Sequence, residues 1–407
     1  MRFWILQTGE PLHIDDPNLR PMRGMNLSNE LVSRGHQVLF ISSDFNHYEK
    51  KHRNQFGKNL QINQNLRLLL IKSRGYKKHI GISRLFDHFQ LSFNLMKILK
   101  NEVPPQVAFV GFPPIETAWI LSKWLRKRNI PYFVDAKDAW PDIFLNYFPQ
   151  FIRKYMKFLM LPYFTMTRNV FRHAKGIVAP TQDYLNWALD KAKRAERPTD
   201  KVAPLSAPEP LISEEELTVA YKFWENLGIA NKHQLRVYFV GSLTDSYNFE
   251  PMVDLASQYK IIVIIAGEGP QKSKLKQIAE TLENLIIPGW INQAQYVALA
   301  KMCDFSIIPL NNKYHLKSTF SNKYVDAIRL GIPILTSDKV SANSFLIPEN
   351  VGTSFTSSED LYLTMTNLKS NSSKYREMKM NSRRLYLEKF EYSEVYRSLV
   401  ELLEEHQ

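Results

Sequence analysis

The chain has 407 residues, enough for two cores of ordinary domain size, and its 44% hydrophobic and 23% charged content excludes a disordered or fibrous protein. A single cysteine, Cys303, excludes an internal disulfide and fits a reducing compartment, and no Cys/His cluster has metal-ligand spacing. The net charge of +13 draws polyanions: nucleic acid, acidic lipid or a phosphorylated substrate.

The opening MRFWILQTGE reads as a short strand without the apolar run and cleavage site of a signal peptide, so no export is expected. The loop and helix that follow, EPLHIDDPNLRPMRGMNLSNELVSRGHQV, form a long connection with Arg20, Arg23 and Gly24 ahead of the helix. Basic residues at a helix start suit an anionic substrate or are solvated surface charge, while His36 closes the helix and packs. The runs QVLFIS, LRLLLIK, VAFVGF, PYFVDA and KGIVAP continue a strand–helix alternation that predicts a parallel sheet. PYFVDA ends in Asp135, and past it stand Lys137, Asp138, Trp140 and Asp142; these residues either face a cleft or, for Asp138, cap the next helix.

Two basic and apolar stretches, 74–100 and 148–172, resemble interfacial segments, or else supply buried helix faces. The apolar stretch at 158–166 is too short to cross a bilayer and contains Pro162. The proline-rich stretch 201–212 is the expected linker between an N-terminal domain, 1–200, and a second, 213–375. Residues 376–407 are expected to be helices packing back on the first domain, with Ser393 capping the last.

In the second domain the strand LRVYFV ends at Gly241 and Ser242, and KIIVIIA ends at Gly267, Glu268 and Gly269. Such glycines let a phosphate approach the backbone, or simply make tight turns. In STFSNKYVDAIRLGIPILTS, Ser321 caps a short helix that Gly331 ends. Lys323, in its first turn, is placed for a diphosphate, and Asp326, three residues on, for ribose hydroxyls; the alternative is a surface ion pair.

These motifs occur in the order seen in the retaining glycosyltransferases of family 4, which the chain resembles from Met1 to about Pro333. RPMRGMNLSNELVSRGHQV is similar to the family's opening loop and Gly-His-ended helix, VDAKDAWPDIF to its Asp-Leu-Trp-Pro-Asp segment, and SNKYVDAIRLGIPIL to its nucleotide-sugar helix. The nearest resemblance is to bacterial enzymes of surface polysaccharide synthesis, such as lipopolysaccharide or capsule. It implies an α/β fold of the GT-B type, two facing doubly wound domains with the site in the cleft between them. It also implies a nucleoside diphosphate sugar donor, a UDP-sugar, bound by Gly241, Ser242, Gly267, Glu268, Gly269, Ser321, Asn322, Lys323 and Asp326. Arg20, Arg23, Gly24 and Trp140 would lie on the acceptor side, with Asp138 and Lys323 catalytic. Three positions depart from the pattern: Ser242 stands where many members have arginine, Ser318 where many have glutamate, and Asp326 where glutamate is commoner.

No pair of carboxylates suggests a covalent glycosyl intermediate. The expected course is therefore front-face attack on the donor, with the leaving diphosphate taking the proton. No Asp-x-Asp occurs, so neither metal nor cofactor is expected. The expected partners are the donor, a lipid-linked saccharide acceptor and an anionic membrane surface, with no nucleic acid and a peripheral location on the inner face of the membrane. A GT-B sugar nucleotide epimerase and a non-enzymatic polyanion-binding protein are the alternatives.

Overall fold

The computed structural model describes residues 1–16, 20–47, 49–53, 58–76, 81–145, 148–229, 234–311 and 320–406. Two compact units are present, Met1–Ala207 with Tyr392–Gln407, and Pro208–Glu391.

The first unit is built on an eight-stranded sheet. Its strands are β1 (Arg2–Leu6), β2 (Gln37–Ser43), β5 (Asn59–Asn63), β6 (Leu66–Ile71), β7 (Val107–Phe112), β8 (Tyr132–Ala136), β9 (Gly176–Ala179) and β10 (Lys201–Val202). A separate ribbon pairs β3 (Phe45–Asn46) with β4 (Lys51–His52). The order in the sheet is β10-β9-β8-β7-β1-β2-β6-β5, parallel except for the edge pair of β5 and β6. β1 is a continuous apolar run because helices cover both faces. Trp4 and Leu6 join one core with Val110, Val134 and Phe171, while Phe3 and Ile5 join another with Phe40, Phe109 and Leu27. That second core is closed by the last helix, Tyr392–Glu404, through Tyr396, Leu399 and Leu403. His36 packs at this seam, its ring 5.1 Å from Phe3 and its Nε2 2.6 Å from a Glu404 oxygen.

The second unit is a six-stranded, all-parallel sheet of β11 (Arg236–Val240), β12 (Ile262–Ala266), β13 (Leu285–Gly289), β14 (Phe305–Ile308), β15 (Ile334–Ser337) and β16 (Gly352–Phe355). Its order is β13-β12-β11-β14-β15-β16. Each sheet therefore reverses direction beside its first strand, between β1 and β7 and between β11 and β14. Ligands bind at the carboxyl ends of strands at such reversals.

Several boundaries differ from the sequence reading. Within the expected linker, Lys201–Val202 pairs with β9 as an edge strand, and Ser213 and Glu216 form a reciprocal cap that starts the helix Glu214–Asn226. Ser372–Leu385 stays with the second unit, and only the final helix joins the first. Ser393 lies inside that helix, one residue past its start.

Candidate active site residues

In the second unit the turn after β11 is closed by backbone pairing: Gly241 N–H donates to Ala266 O at 2.9 Å and Leu243 N–H to Glu268 O at 2.8 Å. Gly267 N–H donates in turn to Gly289 O at 2.7 Å. Gly241 has φ +152°, and a Cβ there would stand 2.2 Å from Lys323 Cε. Only glycine lets the lysine side chain lie across the turn. The structure thus brings together Gly241 and Lys323, 82 residues apart in sequence, through the helix Asn322–Arg329.

The Lys323 ammonium lies 4.9 Å from the centroid of the Tyr247 ring and 5.4 Å from that of Phe239. Among the described residues no carboxylate comes within ion-pair distance of it. Ser321 occupies the cap position of this helix, but its side chain makes no capping hydrogen bond. Its Oγ, Asn322 Oδ1 and Tyr324 OH are buried without hydrogen-bond partners among the described residues. A helix start with three unpaired polar atoms beside a full positive charge is a seat for an anion with several oxygens.

Asp326 lies one turn deeper, its Oδ1 3.7 Å from Arg329. Its charge, with burial the larger cause, helps hold the hydroxyls of Tyr238 and Tyr296 above their usual pKa. Glu268 is exposed and paired with Lys272 at 2.5 Å, and Ser242 is exposed. Ser318 falls outside the described residues.

In the first unit the carboxyl ends of β1, β7 and β8 frame a cavity of about 270 Å³. Glu10, Lys137 and Asp138 line it from the strand ends, and Tyr76, Arg84 and His88 from the connection and helix beyond β6. Asp138 is half-buried, and among the described residues its carboxylate makes no hydrogen bond and caps no helix. Burial pushes it up to about 6, against the pull of Lys137 and Arg84. Arg84 lies 4.8 Å from the Trp140 ring centroid and 5.2 Å from that of Tyr76, with Lys50 4.7 Å from the Tyr76 ring. Burial and the Arg84 charge push the Lys50 ammonium down to about 8.

Three of the expected acceptor-side residues do different work. Arg23 is 2% exposed; its Nε lies 3.1 Å from the fully buried Asp135 and it donates to Ala203 O at 2.7 Å. Its charge is spent on a buried partner, where removing either member costs about 3–5 kcal/mol. Gly24 N–H donates to Glu10 at 2.8 Å, and a Cβ on Gly24 would lie 2.7 Å from that carboxylate. The anion at this helix start is therefore the protein's own Glu10, which also takes Lys137. Trp140 is a core residue, packed at 4.5 Å on Phe144 and 5.7 Å on His88. Arg20 is half-buried close to Tyr396. Glu10, Arg84 and His88 escaped the sequence reading; Glu10 had a signal, standing just past the first strand, whereas the other two belong to a helix face that only packing identifies.

The same unit carries an exposed apolar surface. Phe86, Phe89, Phe93 and Met96 recur at helical spacing along Ile82–Ile98, opposite the buried Asp87, His88, Leu91 and Leu95. Phe151 and Phe158, both 79% exposed, and Tyr155 stand out beside Arg153, Lys154 and Lys157. Lys77 and Lys78 lie outside the described residues. Among the described residues no helix is long and apolar enough to cross a membrane, and no three His, Cys, Asp or Glu side chains are grouped to hold a metal.

Residues 223–385, within the second unit, match the family described as glycosyl transferases group 1. No curated protein matches the sequence. The fold is that of solved structures along the whole length of the chain. A sucrose-phosphate synthase from Thermosynechococcus elongatus has a TM-score of 0.71 at 11% identity, over 99% of this chain and 98% of its own. HepE of Anabaena, solved with UDP-glucose, has 0.67 at 13%, over 100% of both chains. WaaG, a glycosyltransferase involved in lipopolysaccharide biosynthesis, has 0.63 at 14%, over 99% of both. The chain has the GT-B fold, and it is an enzyme of the glycosyltransferase class.

Proposed function

We propose that the enzyme moves a sugar from a nucleoside diphosphate sugar, a UDP-sugar, to a lipid-linked or saccharide acceptor with retention at the anomeric carbon, in the building of a surface polysaccharide. The observation that carries the donor assignment is Lys323 lying across Gly241 beside a helix start whose Ser321, Asn322 and Tyr324 oxygens are unpaired among the described residues. A diphosphate supplies oxygens to the lysine and the helix N–H groups, and Asp326 accepts from ribose hydroxyls. As the bond from the anomeric carbon to the diphosphate breaks, negative charge grows on the leaving oxygens. Lys323 and the helix start stabilise that charge. The acceptor hydroxyl attacks from the same face, and its proton passes to the departing diphosphate.

The acceptor reading rests on the first unit's cavity, where Asp138 supplies a carboxylate for an acceptor hydroxyl. The nucleotide part is tested by a thermal-shift panel of sugar nucleotides. The cognate donor at about 100 times its Kd should stabilise by about 2.7 kcal/mol. If no nucleoside diphosphate sugar raises the melting temperature, the donor assignment is wrong.

The exposed phenylalanines next to Lys97, Arg153, Lys154 and Lys157 support docking of the first unit on an anionic bilayer, apolar side down and cations toward the headgroups. This matches an acceptor whose lipid tail stays in the membrane and a peripheral location on the cytoplasmic face. Sedimentation with anionic vesicles should recover the parent at low salt and much less of a Lys154→Glu, Lys157→Glu variant, since each cation contributes about 1 kcal/mol. Equal recovery of the two proteins would refute it.

A further inference from the structure

Along the helix Ile82–Ile98, Arg84, Asp87, His88 and Leu91 share one face and line the first unit's cavity. Behind His88, its Nδ1 lies 3.4 Å from Glu116 Oε2 at the start of the helix Ile115–Arg126, both side chains 4% exposed. Tyr163 OH, from the helix Leu161–His173, donates to the other Glu116 oxygen at 3.0 Å. Burial and the Glu116 charge hold that hydroxyl above its usual pKa, so it remains a donor.

A buried carboxylate beside a buried imidazole costs desolvation energy, and an apolar pair of the same volume would pack there at lower cost. Three helices nevertheless converge on this arrangement, and it ends at the cavity wall. His88 Nδ1 faces the Glu116 carboxylate at 3.4 Å without hydrogen-bond geometry, and Nε2 makes no hydrogen bond among the described residues. An imidazole backed by a carboxylate at that distance and lining a pocket in front can turn Nε2 to a ligand as a hydrogen-bond acceptor once the contact behind it tightens. The groups around it are Arg84 and Asp87 on its own helix, Glu10, Lys137 and Asp138 on the cavity wall, Glu116 behind it and the Trp140 ring at 5.7 Å.

We propose that His88 Nε2 holds the attacking hydroxyl of a hexoside acceptor, and that Glu116, itself held by Tyr163, is the positioning residue for the ring. The inference rests on the reading of this cavity as the acceptor pocket. Asp138 and His88 then take neighbouring hydroxyls of one sugar from two sides of the cavity.

The two ring nitrogens can be separated by substitution, because the side-chain amide of Asn reaches only the place of Nδ1, whereas that of Gln reaches the place of Nε2 and can turn its oxygen there to accept. UDP release from UDP-glucose is measured with and without short alkyl glycosides, for the parent, His88→Gln, His88→Asn, Glu116→Gln, Tyr163→Phe and Asp138→Asn. Glycoside-dependent release should fall about 100-fold in His88→Asn and about tenfold in His88→Gln and Glu116→Gln, with UDP affinity by calorimetry within about twofold of the parent. Tyr163→Phe should lower kcat less than Glu116→Gln does. An Asn variant as active as the Gln variant or more so assigns the histidine to the buried pair alone and overturns the proposal. Should neither histidine variant fold, an unchanged kcat in Glu116→Gln overturns it and a drop in kcat at unchanged UDP affinity supports it. Loss of release in Asp138→Asn but in none of the His88 or Glu116 variants defeats the inference and leaves the acceptor reading standing. A parent that releases no more UDP with glycosides than without defeats the acceptor reading itself.

Discussion

The two units share a sheet that reverses beside its first strand, yet they treat charge at that reversal in opposite ways. In the first, the cations near the strand ends are matched internally: Arg23 by Asp135, Lys137 by Glu10, and Arg53 by Asp15 at 2.6 Å. In the second, Lys323 faces two aromatic rings and unpaired polar atoms, with no carboxylate near it among the described residues. A self-neutralised pocket that keeps one half-buried carboxylate suits a neutral, hydroxyl-rich ligand, whereas a lone cation at a helix start calls for an anion from outside. One topology therefore supports an acceptor role in one unit and a donor role in the other.

The sharpest way to break this contrast is to remove the unmatched cation. Lys323→Ala should lower kcat by about 100- to 1000-fold, the scale for losing one stabiliser of charge at the leaving group. The variant should keep a melting temperature close to the parent's without ligand, since among the described residues no carboxylate is orphaned and only the contacts with the Tyr247 and Phe239 rings are lost. Steady-state kinetics and calorimetry with UDP decide it, and parental turnover would return the lysine to the surface.

Next comes Asp138→Asn, with turnover expected to fall about 100-fold at unchanged UDP affinity. Burial pushes its carboxyl up to about 6, so the carboxylate proposed to hold an acceptor hydroxyl forms as pH rises through about 6. Parental activity should climb across that window and the variant's should not. Stability moves the other way: a raised carboxyl favours the folded state most at low pH, and that contribution is lost as pH rises through about 6. The Asn variant should therefore gain in melting temperature relative to the parent above pH 6. A flat parental profile from pH 5 to 7 would remove Asp138 from the chemistry.

Asp326→Ala is expected to weaken UDP binding by about 1.5–3 kcal/mol through the lost ribose contacts. Because Arg329 lies 3.7 Å away, the change should also cost some stability, and calorimetry on the folded variant separates the two effects. The smallest effect belongs to Ser242→Ala. An exposed hydroxyl beside the Gly241 turn should be worth less than about 1 kcal/mol of UDP affinity. A larger loss would shift the diphosphate from the helix start toward the turn.

Most of this architecture can be read from sequence. The short apolar runs bounded by turns became strands of parallel sheets, because strands covered on both faces need apolar side chains throughout, whereas the apolar stretch 158–166 falls in the helices Arg153–Leu159 and Leu161–His173. Three strands of the sheets escaped notice for the converse reason. β5 is a half-exposed edge with alternating polar residues, β10 is two residues long, and β16 is the short Gly-Thr-Ser-Phe. The residues proposed to hold the donor are legible as local motifs, since a glycine turn and a helix start carry their chemistry in adjacent residues.

What the sequence by itself determined is the alternation of strands and helices, the two-unit plan and the helix bearing Lys323 and Asp326, all consequences of short-range pattern. Tertiary structure alone decided which charges are left over. Arg23, Lys137 and Lys323 are equally basic on paper, and only packing shows that Asp135 and Glu10 neutralise the first two. It alone also joined His88, Glu116 and Tyr163 from three helices. Pairing of buried charges depends on distances of a few ångströms between residues far apart in the chain, and no periodicity in the sequence encodes those distances.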